Sequence, residues 1–188
     1  VLANVLLVLF MLGLAKTALP PLHRWLFVST RAPFPALVLI QAIAVAPVGA
    51  AGVLKITAYI FGSALHEARF AALGLLILAG ASMCYAALIA LAKQDLRERM
   101  AYATMAQSMA IVLGALLALP AGTVAAVLQV VAFSCAATTL LMAGGAAFAA
   151  TGRTLASEYH GLGRLMPWTM AGFALGAASL IGMPPFSG

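Results

Sequence analysis

Six long apolar segments limit the folds open to this sequence more than any other feature. They lie at about residues 1 to 19, 34 to 61, 69 to 92, 100 to 118, 123 to 150 and 167 to 183. A helix crosses the hydrocarbon core of a bilayer, about 30 Å thick, with about 20 apolar residues. Lipid leaves backbone groups without partners except in helices and closed barrels, and the alternation of barrel strands is missing. The sequence therefore predicts an all-α transmembrane bundle of about six spanning helices.

Composition agrees with a membrane protein. The chain is 65% hydrophobic and 7% charged, whereas soluble domains carry about 25% charged residues. Its net charge of +6 does not suggest nucleic-acid binding, since the cations lie between apolar segments without interleaved aromatics. Cys84 and Cys135 each lie within an apolar run and are expected to be core residues.

The chain ends suggest a piece of a larger protein. It begins with VLANVLLVLF, which has neither a start methionine nor the basic flank of a signal peptide. Residues 1–188 are therefore expected to form a single transmembrane domain, an internal slice with both termini truncated.

The cations are distributed unequally between the two sides of the predicted bundle. One side carries seven of the ten Lys and Arg residues, namely Arg24, Arg31, Lys93, Arg97, Arg99, Arg153 and Arg164. On the other side Arg69 is the one loop cation, although Lys55 has the length to snorkel towards it. The positive-inside rule places the side with seven cations in the cytoplasm, for a multi-pass protein of the plasma (inner) membrane.

A lysine followed by two prolines, in GLAKTALPPLHRWL, is the main candidate for function. Lys16 follows fifteen uncharged residues, and fifteen helical residues rise only about 22 Å, short of the full hydrocarbon core. Pro20 and Pro21 remove two backbone donors and break the helix just beyond it. Either Lys16 snorkels and the prolines mark a loop, or it is a buried charge beside a broken helix. The following PLHRWLFVST is expected to continue as a half-helix or as an interfacial helix.

Four stretches of the sequence resemble one family along essentially all 188 residues. They are KTALPPLHRWL, APFPALVLIQAIAVAPVGAAGVLKITAYIFG, LAKQDLRERMAYATMAQ and GLGRLMPWTMAGFALGAASLIGMPPFSG. The chain resembles the antiporter-like membrane subunits shared by Mrp-type multisubunit Na⁺/H⁺ antiporters and respiratory complex I, and most of all the D-type subunits of the Mrp antiporters. The resemblance implies about fourteen helices in two inverted five-helix repeats, of which this chain is a central fragment.

The resemblance also implies roles for particular residues. Lys16 matches the family's central proton-carrying lysine, which pairs with a glutamate on an earlier helix, and His23 is a second, weaker relay candidate. The four acids lie in or beside predicted loops, at Glu67, Asp95, Glu98 and Glu158. The carboxylate partner of Lys16 is therefore expected upstream of this chain, or is absent.

Five positions depart from the family pattern. Gln41 stands where the family usually has histidine and Pro47 where it usually has lysine, while Gln129, Phe133 and Ala137 replace two histidines and a lysine. The last three are spaced i, i+4 and i+8 and share one helix face, which cannot titrate near pH 7. Pro47 is also expected to kink the second helix, and the kink either opens a cavity or is packed over by neighbours.

The remaining polar residues of these segments are candidates for a hydrated ion path. They are Gln41, Gln129, Ser134 and Thr138. Hydroxyls in membrane helices either hold water or bond to a carbonyl of their own helix, and the latter is the commoner arrangement.

Two functions remain open. The first is a membrane subunit that moves H⁺, or Na⁺ in exchange, through Lys16 and bound water, together with other membrane subunits of a complex. The second is a degenerate, non-conducting scaffold of such a complex. Nothing resembles a nucleophile with its base, a phosphate loop or a metal ligand set, so the chain alone is not expected to be an enzyme or to hold a cofactor or metal.

Overall fold

The computed structural model of the protein describes residues 2–14, 17–18, 22–65, 68–117, 119–153, 155, 157, 159 and 161–183. Helices make up nearly all of the regular structure in these ranges, and one isolated bridge pairs Asp95 with Leu155. The predicted all-α fold is confirmed. Lys16, Pro20 and Pro21 lie outside the described residues.

Nine α-helices are described. They are α1 (Leu2–Gly13), α2 (Arg24–Ser29), α3 (Phe34–Leu37), α4 (Val45–Lys55), α5 (Arg69–Ala92), α6 (Leu96–Leu116), α7 (Pro120–Thr151), α8 (Leu162–Leu165) and α9 (Pro167–Ile181). A π-helical stretch, Val38–Ala44, joins α3 to α4, and a second one, Ile56–Phe61, follows α4. These pieces form one continuous helix of 28 residues, Phe34–Phe61, which is called the long helix below.

Each of the six predicted segments contains a helix, but the helices differ in length. Within the described ranges, three are long and apolar enough to cross a membrane, namely the long helix, α5 and α7. Helices α1 and α9 are apolar but shorter, at 12 and 15 residues. Helix α1 ends at Gly13, so its described part is shorter than the predicted segment 1 to 19.

Helix α6 lies at the centre of the described bundle, between α5 and α7 and against α4. It buries large side chains along most of its length, including Met105, Met109 and Ile111. Helix α5 instead buries a narrow stripe of small residues and exposes large apolar side chains elsewhere. Cys84 and Cys135 are exposed, so their expected core positions are wrong. The reason is that lipid-facing surface is as apolar as the protein core, and hydropathy does not separate the two.

The turn between α5 and α6 is held by polar contacts. Asp95 caps α6 by accepting a hydrogen bond from the Arg97 backbone N–H at 2.8 Å, and the Arg99 Nε donates to the Ala90 carbonyl at 3.1 Å. Lys93 Nζ lies 2.8 Å from Glu98 Oε2. The hydrogen bond and the charge of Glu98 raise the pKa of Lys93. The Asp95 cap and the Arg99 hydrogen bond hold this turn, whereas the exposed ion pair of Lys93 and Glu98 adds little.

Glycines allow the backbones of α6 and α7 to approach closely at their connected ends. A Cβ atom added to Gly122 would lie 2.8 Å from the backbone oxygen of Gly114. A Cβ atom at Gly145, further along α7, would lie 2.9 Å from the Cβ of Phe34. In lipid there is little hydrophobic drive between helices. The close packing that these small residues allow stabilises the helix contacts instead.

Gly122→Ala is expected to destabilise the bundle by about 1–3 kcal/mol, because the added methyl group meets backbone rather than a movable side chain. Gly80→Ala on α5 is the matched control, since a Cβ atom there has nothing within 4 Å. It should leave stability unchanged or raise it by up to about 1 kcal/mol through helix propensity. The unfolding temperature of each variant is measured in detergent. Equal unfolding temperatures for the two would contradict the close helix approach.

Candidate functional site

Gln41 is a fully buried polar side chain in the middle of the first π-helical stretch. Its Nε2 donates a hydrogen bond to Ser29 Oγ on α2 at 3.3 Å, and Ser29 Oγ donates to the Leu26 carbonyl at 2.6 Å. Its Oε1 is buried and has no hydrogen-bond partner among the described residues. Gln41 therefore joins the long helix to α2 and leaves one acceptor open.

The π-helical stretch ends three residues before Pro47. Proline lacks a backbone N–H, so the Ile43 carbonyl has no α-helical donor four residues later. A π turn is a common way to accommodate such a break and is frequent at functional sites. Gln41 lies inside this stretch. The kink expected at Pro47 stays a prediction.

His23 lies at the other end of α2, as its N-cap residue. Its ring meets Phe27 edge-on, with ring centroids 5.7 Å apart, and Phe27 packs on Tyr102 of α6 at 4.4 Å. Its Nδ1 is buried without a hydrogen-bond partner in the described part of the chain. The segment after the two prolines therefore contains a short helix that packs on α6. His23 is the N-cap residue of this helix and Ser29 is its last residue.

A second polar contact joins α6 and α7. Gln129 Nε2 donates to Gln107 Oε1 at 2.6 Å. Gln107 was not among the predicted site residues, although an amide within an apolar helix indicates a buried polar contact. Among the described residues, no hydrogen bond links this pair to Gln41. The structure thus brings the candidates together in two separate groups.

The hydroxyls of α7 bond to their own helix. Ser134 donates to the Val130 carbonyl at 2.8 Å, and Thr138 donates to the Ser134 carbonyl at 2.6 Å. Their protons are therefore engaged, and only oxygen lone pairs remain for water. An ion-path role for Ser134 and Thr138 stays a prediction.

The two other altered positions on α7 are part of a packed apolar cluster. Phe133 is 2% exposed and Ala137 is fully buried. They pack with Val38 and Ala42 of the π-helical stretch and with other apolar residues of α6 and α7. This face of α7 holds the long helix in place and offers no polar group of its own at these two positions.

Lys55 lines a cavity of about 340 Å³ between α4 and α7, and its side chain is exposed. The remaining walls are mostly apolar, with Tyr59, Val127 and Val130 among them. In the described part of the chain no carboxylate is paired with Lys55. The predicted snorkelling of Lys55 stays a prediction.

Comparison with protein families identifies a match over the whole chain. The family model described as "NADH:quinone oxidoreductase/Mrp antiporter, TM" matches residues 1–188. The L subunit of the NADH-quinone oxidoreductase of Mycobacterium tuberculosis is 32% identical over 175 residues, which are 93% of this chain and 27% of that protein. The D-type subunit of the Na⁺/H⁺ antiporter of Alkalihalophilus pseudofirmus is 28% identical, over 98% of this chain and 37% of that protein.

Solved structures show the same similarity. A chain of the Mrp complex from Dietzia sp. superposes with a TM-score of 0.88 at 30% identity, over 97% of this chain and 20% of that one. A chain of an archaeal membrane-bound sulfane sulfur reductase superposes with a TM-score of 0.80 at 26% identity, over 98% of this chain and 38% of that one. The protein thus spans less than two fifths of the length of each of these relatives.

Proposed function

The chain belongs to the NADH:quinone oxidoreductase/Mrp antiporter transmembrane family, and on that basis we propose that it is part of a membrane subunit that moves H⁺, or exchanges Na⁺ for H⁺. Its partners are other membrane subunits of a multisubunit complex in the plasma (inner) membrane. The side with seven cations faces the cytoplasm. Any redox chemistry of such a complex resides in other subunits, and this chain contributes to the ion path.

The buried amide of Gln41 is the observation that carries this proposal. Leaving a buried acceptor without a partner costs about 1–3 kcal/mol. Such groups are commonly satisfied by a buried water, which bonds about three polar atoms. Because Gln41 Oε1 has no partner among the described residues, it favours a water-filled position beside α2.

Further polar groups lie at the two ends of α2. Ser29 Oγ, at the last residue of α2, lies 3.3 Å from Gln41 Nε2. His23, whose Nδ1 has no hydrogen-bond partner among the described residues, is the N-cap residue of the same helix. An amide and a hydroxyl do not titrate near pH 7, so they orient water and leave the charge to another group. Lys16 is the residue that we propose takes up and releases the proton, with His23 as a further relay.

Replacing Gln41 with leucine tests this arrangement. ΔpH-driven flux through vesicles that contain the assembled complex should fall by about tenfold, the loss expected for one hydrogen bond of about 1.4 kcal/mol in the path. Ser29→Ala should lower flux as well, because it removes the partner that orients Gln41.

Ser82→Ala is the matched control. Like Ser29→Ala, it removes a serine hydroxyl, but in α5, where that hydroxyl bonds to the Leu78 carbonyl of its own helix. Its flux should equal that of the unchanged protein. If Gln41→Leu conducts at the full rate in an assembled complex, the amide is not part of the path.

One observation favours a second candidate function, a non-conducting scaffold. The packed cluster around Phe133 and Ala137 leaves no titrating group on that face of α7. A subunit without a complete path would still keep the fold and the contacts that support a conducting neighbour. The flux experiments with Gln41 and with Lys16 distinguish the two functions.

A further inference from the structure

A small cavity of about 240 Å³ opens beside α2 and is lined by Arg24, Phe27, Val28 and Arg31. Arg24 is the first residue of α2, and Arg31 follows its last residue by two. The backbone keeps turning past Ser29, since the N–H groups of Thr30 and Arg31 bond to the carbonyls of Phe27 and Val28. Arg24 and Arg31 are seven positions apart, about two helical turns, so both line the cavity from one side of this segment.

The positive charge of this cavity is not balanced by the described part of the chain. Of the four acids, Asp95 and Glu98 are described; Asp95 caps α6 and Glu98 pairs with Lys93. Neither forms an ion pair with Arg24 or Arg31. Arg24 and Arg31 are exposed, so solvent screens their mutual repulsion in part, and an anion between them would attract both charges. Arginine binds phosphate through paired N–H donors, which suits this geometry better than a single point charge.

The apolar walls indicate the source of the anion. Val28 is 67% exposed at the cavity, and Leu22, just before α2, is 41% exposed. Arg31 precedes the long helix by three residues, so the cavity lies where that helix reaches the edge of the hydrocarbon core. A lipid offers a phosphate at this depth together with an apolar part that covers Val28, whereas free phosphate leaves that side chain in water.

We propose that Arg24 and Arg31 bind the phosphate of an anionic phospholipid headgroup. The phosphate lies between the two guanidinium groups, and the glycerol and first acyl carbons pack on Phe27 and Val28. This site shares α2 with the proposed ion path, since Phe27 also contacts His23, but lipid binding does not depend on whether the subunit conducts.

The test uses the assembled complex, stripped of bound lipid in detergent. Binding of phosphatidylglycerol is measured by native mass spectrometry, beside phosphatidylcholine and inorganic phosphate. Phosphatidylglycerol should bind more tightly than either. Arg24→Gln and Arg31→Gln should each weaken it by about fivefold, and together by about 25-fold, because each cation near an anionic headgroup contributes about 1 kcal/mol.

Arg164→Gln is the matched control. Arg164 is an exposed arginine of α8 that does not line the cavity, so its loss removes one charge without touching the site. An equal loss of binding in Arg164→Gln would overturn the proposal, because it would mean that overall charge attracts the lipid. Inorganic phosphate that binds as tightly as phosphatidylglycerol and displaces it would also overturn it, in favour of a free anion. Equal affinity for phosphatidylcholine would overturn the requirement for an anionic headgroup.

Discussion

Replacing Ala137 with lysine is expected to prevent stable folding of the bundle, although lysine is the residue that the family resemblance leads one to expect there. Ala137 is fully buried and packs in the cluster that joins α7 to the first π-helical stretch. An unpaired buried charge costs several kcal/mol, which is a large part of a total stability of about 5–15 kcal/mol. Little assembled complex should be recovered by size-exclusion chromatography.

Ala137→Met adds side-chain volume without charge, and so distinguishes the effect of overpacking from that of the buried charge. Methionine has an unbranched chain of similar length and no charge, so it should cost only the overpacking term of about 1–3 kcal/mol. The yield of assembled complex should therefore be much higher for methionine than for lysine. If both variants assemble equally well, then water or a carboxylate outside the described residues reaches this face of α7. In that case the packed cluster no longer favours a non-conducting scaffold.

Replacing Lys16 with alanine is expected to lower ΔpH-driven flux by about a hundredfold or more, the usual contribution of a positioned proton-transfer group. Lys16 lies outside the described residues, so the reason comes from its sequence context. It follows fifteen uncharged residues, and the sequence predicts that it lies within the hydrocarbon core. Burial of a lysine there requires a partner or an aqueous cavity.

Two further variants test whether flux depends on proton exchange at Lys16 rather than on positive charge. Lys16→Arg keeps the positive charge but holds its proton at all accessible pH values, so flux should fall as it does with alanine. Lys93→Ala is the matched control, since Lys93 lies outside the spans in an exposed pair with Glu98. It should conduct normally. An assembled Lys16→Ala complex with full flux would favour the scaffold function.

The positions of the helices were largely predictable from sequence, and their ends were less so. Helix α6 begins at Leu96 rather than near residue 100, because the Asp95 side chain caps it. The signal was present, since an acidic cap followed three residues later by Glu98 resembles a capping box. Helix α7 begins at Pro120, which is favoured in the first turn, rather than at 123.

The candidate site was predictable in its residues but not in its contacts. The family pattern identified Gln41 and Gln129 as replacements for histidine. It did not indicate that Gln41 bonds to Ser29, or that Gln129 bonds to Gln107. Each partner comes from another helix, and residue spacing within one helix carries no information about a neighbour's rotation and depth.

By itself, the sequence determined the membrane class, the all-α fold and the approximate spans. The physical reason is that helical hydrogen bonds are local and hydrocarbon leaves the backbone few alternatives. Only the tertiary structure decided which polar groups are buried, which of them are paired, and that Phe133 and Ala137 are packed core. It also decided that Arg24 and Arg31 share one cavity. These outcomes depend on how helices far apart in the chain pack, which is decided by small residues and side-chain shape rather than by hydropathy.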